Sequence, residues 1–154
     1  MTAAMTKRAP IAVLLVAIAL PACQPMAGEG AGQSAIATDP TAPFSAIAPD
    51  ETIRFLGTEP FWNGEITGSR LRYATPEDQA GQTITVRRFA GNNGLGFTGT
   101  LRGASLDLAI TPGACSDGMS DRRFPFTVTL KLGDDQRSGC AWTDRMPYRE
   151  TARP

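Results

Sequence analysis

The sequence predicts an all-β fold: a small antiparallel meander of eight strands, closed or nearly closed into a barrel and tied by one disulfide. Three observations predict it. From Glu51 onward, apolar residues recur at every second position, as in strands with one dry face. Pairs rich in Gly, Asn and Asp punctuate these runs. No stretch carries the period of a long amphipathic helix. Short consecutive connections favour a meander, and eight meandering strands lose their edges most simply by closing. A two-sheet β-sandwich is the alternative.

The elements follow in chain order. Ile53 and Phe55 alternate with Thr52 and Arg54, and Trp62, Gly64 and Ile66 with Phe61, Asn63 and Glu65. Leu71 and Tyr73 stand between arginines, and a single helical turn fits Thr75 to Gln79, with Thr75 as cap and Pro76 at its first position. Ile84 and Val86 continue the alternation until Arg88-Phe89 breaks phase, as a β-bulge would. Leu95, Phe97, Gly99 and Leu101 form the next face, then Leu106, Leu108 and Ile110, then Phe126, Val128, Leu130 and Leu132. Cys140-Ala141-Trp142 closes the set. Gly68-Ser69, Asn92-Asn93-Gly94, Gly103-Ala104 and Gly133-Asp134-Asp135 mark turns. A barrel of such short strands is narrow and filled by its own side chains. Phe55, Trp62, Tyr73, Phe97, Phe126 and Trp142 are expected inside.

Ahead of this domain the chain reads as an address. Lys7 and Arg8 precede an apolar run over 11–20, the layout of a secretory signal and short of the roughly 20 residues a spanning helix needs. Leu20-Pro21-Ala22-Cys23 resembles a bacterial lipobox. The resemblance implies removal of residues 1–22 and acylation of Cys23, palmitate included, with several chains sharing the anchorage. By the same resemblance, Gln24 in place of aspartate implies an outer-membrane lipoprotein facing the periplasm. Residues 24–50, rich in Ala, Gly, Pro, Ser and Thr, read as a disordered tether reaching roughly 30 Å, from which Phe44 and Ile47 are the residues expected to dock back. The barrel is drawn over 51–145, and 146–154 as a flexible tail.

Charge and composition narrow the chemistry. The chain of 154 residues has 15 basic and 15 acidic side chains and no histidine. Without histidine there is no Ser-His-Asp triad, no Cys-His pair and no His-rich zinc site. Arginines are scattered among carboxylates, so no basic face offers itself to nucleic acid. Loss of Lys7 and Arg8 with the signal leaves a net charge of −2. No metal and no cofactor is expected.

Two polar stretches interrupt the pattern. Cys115 and Cys140 are the pair left in an oxidising compartment once Cys23 is acylated, and their bridge closes about 26 residues, worth roughly 3.5 kcal/mol on the chain-entropy model. Between Cys115 and Pro125, Ser116, Asp117, Ser120 and Asp121 are placed to bond local amides, with Ser120 capping a turn that Pro125 ends. Asp121 is expected to pair with Arg122 and Arg123. The carboxylate spacing does not match an EF-hand. In Gly57-Thr58-Glu59-Pro60-Phe61-Trp62, Pro60 fixes the start of a strand and holds Glu59 extended. A candidate binding rim is therefore Glu59, Trp62, Asp117, Met119, Asp121 and Arg122.

Taken together, GTEPFW at 57–62, CSDGMSDRRFP at 115–125 and GCA at 139–141 resemble a family of bacterial envelope lipoproteins, over roughly residues 51–143. The resemblance implies class and location rather than an activity. More loosely, the layout is similar to the membrane-bound inhibitor of c-type lysozymes and to META-domain lipoproteins. The functional expectation is a non-catalytic binding module for a periplasmic protein or cell-wall component, lysozyme inhibition being one concrete version. Two other classes stand beside it. A hydrolase of cell-wall material needs Glu59 to converge with Asp117 or Asp121. A carrier of small hydrophobic ligands needs an internal cavity of roughly 300 Å³ or more.

Overall fold

The structure, a computed structural model, describes residues 42–151. The signal segment, Cys23 and most of the tether lie outside the described residues. Within them, the alternating faces form eight antiparallel strands: β1 (Ile53–Thr58), β2 (Phe61–Thr67), β3 (Arg70–Thr75), β4 (Asp78–Gly91), β5 (Gly94–Leu101), β6 (Ala104–Cys115), β7 (Arg122–Leu132) and β8 (Asp135–Thr143). Each pairs with the next, and β8 returns to β1, with Leu56 opposite Cys140 and Ile53 opposite Thr143. The sheet is therefore closed into a barrel. A two-residue strand, β9 (Arg149–Glu150), adds to the start of β7.

Six of the seven connections within the barrel are two residues long. At the β5–β6 turn both Arg102 and Gly103 have positive φ, 51° and 83°, the primed turn that matches strand twist. The seventh connection, Ser116 to Asp121, is the polar loop, and it is held by the Cys115–Cys140 disulfide.

One face of every strand fills the interior. Ile53, Phe55, Trp62, Ile66, Leu71, Tyr73, Phe97, Leu108, Phe126 and Val128 lie in a single buried cluster. Each large apolar side chain so buried contributes on the order of 1.5–3 kcal/mol. Trp142 is the exception to the expected interior. Its position places it with Cys140 on the other face of β8, where its ring meets Phe124 at 5.4 Å and Tyr148 at 5.7 Å. A second, smaller aromatic cluster thus sits on this other face.

Several local expectations are corrected. Arg88-Phe89 is no bulge: the β4–β5 register runs unbroken from Val86↔Gly99 to Gly91↔Gly94. The strand keeps phase because Phe89 is left 67% exposed while Arg88 turns to donate from Nη2 to the Ile47 carbonyl at 2.8 Å. Register shifts fall instead between Tyr73 and Thr75 and between Pro112 and Cys115. Thr75 to Gln79 forms no helical turn; Thr75 faces Asp78 across a two-residue hairpin connection. Pro125 does not end a turn but lies within β7. It is tolerated where the facing part of β6 is irregular, so its missing N–H removes no regular ladder bond.

The domain also extends further than 51–145. Phe44 and Ile47, 6% and 1% exposed, join the core, and the Phe44 amide donates to the Gly91 carbonyl at 2.7 Å. The chain from Ala42 to Asp50 is thus part of the fold, because two apolar side chains bury enough surface to hold it. At the other end Met146 packs on the core, Tyr148 joins the aromatic cluster and Arg149–Glu150 pairs with β7, so residues 146–150 are no loose tail.

Candidate functional site

The polar loop starts from its own hydrogen bonds. Asp117 Oδ1 accepts from the amides of Met119 and Ser120 at 3.0 and 2.8 Å, and Oδ2 from the Ser120 hydroxyl at 2.7 Å. Partial burial pushes the Asp117 carboxyl upward, but these bonds from Ser120 and Met119, with the Arg122 guanidinium nearby, outweigh it and hold the group below the ordinary carboxylate range. A carboxylate so committed shapes the loop and stays ionised. The sign of its linkage follows. With the folded pKa depressed, its contribution is present above the unfolded value and is lost as pH falls through the folded one. On acidification from pH 7 to about pH 2, the amide resonances of Met119 and Ser120 should move together with a midpoint below the roughly 3.9 of an unperturbed aspartate. Resonances that titrate at or above that value would contradict this account.

The rest of the loop is pinned from three sides. The Thr58 hydroxyl donates to the Asp117 carbonyl at 3.1 Å, tying the loop to the end of β1. Arg123 Nη1 donates to Ser116 Oγ at 2.9 Å. Arg122 lies 4.4 Å over the Tyr148 ring, and its Nε is 3.7 Å from Glu150 Oε1. Arg122 thus reaches Glu150, and Arg123 reaches back to Ser116. The Asp121 carbonyl accepts from the Thr151 amide at 2.9 Å. Asp121 and Arg122 face β9 and do not line the depressions described next.

Two depressions flank the end of β1. The first, about 640 Å³, lies between the β1–β2 turn, the β3–β4 turn and the loop; Phe61, Trp62, Asn63, Pro76, Gln79 and Met119 line it. Phe61 and Met119 are exposed at 53% and 69%, an unusual pair of large apolar side chains to present to water. The second, about 590 Å³, runs along the outer side of β7 and β8, past Thr127, Thr129, Gln136 and Ser138, with Glu59 and Ser116 on its other wall. Both share Leu56, Gly57, Thr58 and Asp117, so they meet along the end of β1 as one trough.

That trough exists because β1 and β8 stop pairing at Leu56↔Cys140 while β8 continues to Asp135. Trp62 stands behind the seam. It is 1% exposed, packed 5.6 Å from the Phe55 ring and 6.2 Å from the Tyr73 ring, and shows only an edge to the first depression. It belongs to the core, not to an exposed rim. Its Nε1 is buried without a hydrogen-bond partner among the described groups. At the mouth, Arg137 donates from Nη1 to the Tyr73 hydroxyl at 2.7 Å and pairs with Asp135 at 3.3 Å. Burial pushes the Tyr73 hydroxyl upward despite that cation.

Compared with family models, with curated proteins and with solved structures, the chain matches none.

Of the expected rim, the structure brings Glu59, Asp117 and Met119 to the trough, with the edge of Trp62 beneath, and leaves Asp121 and Arg122 outside it. Glu59 is exposed in the β1–β2 turn, joined to Pro60 by a cis peptide. Among the described residues no three His, Cys, Asp or Glu gather as a metal site would need. The residues that sequence reasoning missed are Phe61 and the outward hydroxyls of β7 and β8. Phe61 carried a signal: it is an aromatic on the polar face of an alternating strand.

Proposed function

We propose that this chain is a non-catalytic outer-membrane lipoprotein, anchored through Cys23 and facing the periplasm. In this reading the small barrel is a binding module whose trough takes a periplasmic protein or a cell-wall component. The observation that carries it is the exposed pair Phe61 and Met119, set on either side of a depression whose walls are pinned by a disulfide and by the Thr58–Asp117 hydrogen bond. A rigid frame around an apolar contact is what a binding site needs, since little ordering entropy remains to be lost on association. Asp117 supports the non-catalytic part, because both its carboxylate oxygens are taken up by the loop.

The test is photo-crosslinking in living cells. A crosslinking side chain at Phe61 or Met119 should capture one common component, and the same group at Phe89, exposed but away from the trough, should not. Identical capture from all three positions, or none from the trough, would remove the reading. In the same cells Cys23→Ala should move the chain from the membrane to the soluble fraction; retention in the membrane would refute the anchor.

A further inference from the structure

We infer that the ligand of the trough is a neutral, hydroxyl-rich glycan chain; this rests on the binding-module reading and specifies its substrate class. The trough has two chemically different halves. In the first, Phe61 and Met119 offer exposed apolar surface, and the side-chain amides of Asn63 and Gln79 stand beside it. In the second, Thr127, Thr129, Ser138 and Gln136 line the wall with neutral hydroxyl and amide groups. A pyranose ring has this same division, with C–H groups on its faces and hydroxyls around its edge. Its face can lie on an aromatic ring while its edge exchanges hydrogen bonds with hydroxyls and amides.

Charge argues against other polymers. Three charged side chains border the trough: Asp117, Arg137 and Glu59. Asp117 is bonded within the loop, and Arg137 is engaged by Asp135 and Tyr73. Glu59 is the one for which no hydrogen bond or ion pair occurs among the described residues. The one cation in the lining, Arg137, is held by Asp135 and Tyr73, and an anionic chain would meet Glu59 and Asp117. The joined halves suit an extended oligomer better than a compact ligand. Each half, about 640 and 590 Å³, lies in the ordinary range for small-molecule sites.

The experiment is calorimetric titration of the lipidated full chain, in a detergent without a sugar headgroup. The probes are β-1,4-linked tetramers of N-acetylglucosamine and of glucose, with an uncharged tetrapeptide as the third. Binding of at least one tetrasaccharide at about 1 mM or tighter is expected, weakened roughly tenfold by Phe61→Ala and several-fold by Thr129→Val. Both positions are exposed and outside the core, so the variants should fold. Phe89→Ala should leave binding unchanged. The inference is overturned if neither tetrasaccharide binds, if the peptide binds more tightly than both, or if Phe89→Ala weakens binding as much as Phe61→Ala. Should the trough still crosslink to a component in cells while no glycan binds, the glycan inference fails and the binding-module reading stands.

Discussion

Gly139→Ala should cost about 3 kcal/mol or more, and Gly57→Ala should approach it. A Cβ at 139 would strike the Leu56 carbonyl oxygen, 2.9 Å from its carbon and 3.1 Å from Trp62 Cζ2. The first two are backbone atoms of the facing strand, and neither can move without opening the β1–β8 closure. A Cβ at 57 would land on Trp62 Nε1, 2.5 Å from Cε2 and 2.8 Å from the Ser138 carbonyl oxygen. Trp62 is 1% exposed between Phe55 and Tyr73, so the ring has nowhere to go. Such overpacking lies at the upper end of what added methyl groups cost, and is a large part of the 5–15 kcal/mol that holds a typical domain. Gly96→Ala is the control, because its nearest contact, Phe89 Cδ1 at 3.7 Å, is ordinary. Urea unfolding should show a sharply lowered midpoint for Gly139→Ala and a nearly unchanged one for Gly96→Ala. Equal midpoints would mean that the seam yields easily and that the glycines are not there for closeness.

This seam shows what the sequence could and could not reveal. Alternation from Ile53 to Ile66 and from Phe126 to Leu132 named the inner face correctly because burial on one side of a pleated strand imposes a period of two. The disulfide was legible because only two cysteines remained once Cys23 was set aside. The close approach of Gly57 and Gly139 was not legible, since it depends on strands far apart in sequence meeting where the barrel closes. Arg88 misled for a different reason. An arginine at an inward position reads as broken phase, yet its long side chain reaches the Ile47 carbonyl and leaves the register intact.

The trough was half visible. Asp117 and Met119 were placed on the rim as members of the polar loop, and Glu59 as a carboxylate in a constrained turn. Their joining to Thr127, Thr129 and Ser138 depends on the loop folding back to Thr58, a contact 59 residues long in sequence. Asp121 and Arg122 looked equivalent to Asp117 by composition. They turn to β9 instead, whose two residues carry no strand signal of their own. Trp142 failed likewise: an aromatic in the closing strand was expected inside, but Phe124 and Tyr148 made the other side of β8 a second apolar surface.

Removing the disulfide, by Cys115→Ser with Cys140→Ser, should lower stability by about 3.5 kcal/mol, the chain-entropy value for the loop closed by residues 25 apart. The loss should not spread evenly. Cys140 is fully buried, paired with Leu56 on one side and Thr127 on the other, whereas Cys115 sits where the β6–β7 register has already shifted. The core face of β8 keeps its ladder without the bridge, so the barrel should survive while the loop from Ser116 to Asp121 loosens. Phe124, three residues beyond the loop, stacks on Trp142 and Tyr148, so this ring cluster should loosen with it. Urea unfolding of oxidised, reduced and double-serine chains measures the global term, and amide exchange of Ser116 to Arg123 the local one. An unchanged midpoint would refute the stability claim. Unchanged exchange in the loop with a lowered midpoint would show that Asp117 and Thr58 alone hold the trough wall, and the bridge would then act on the unfolded chain only.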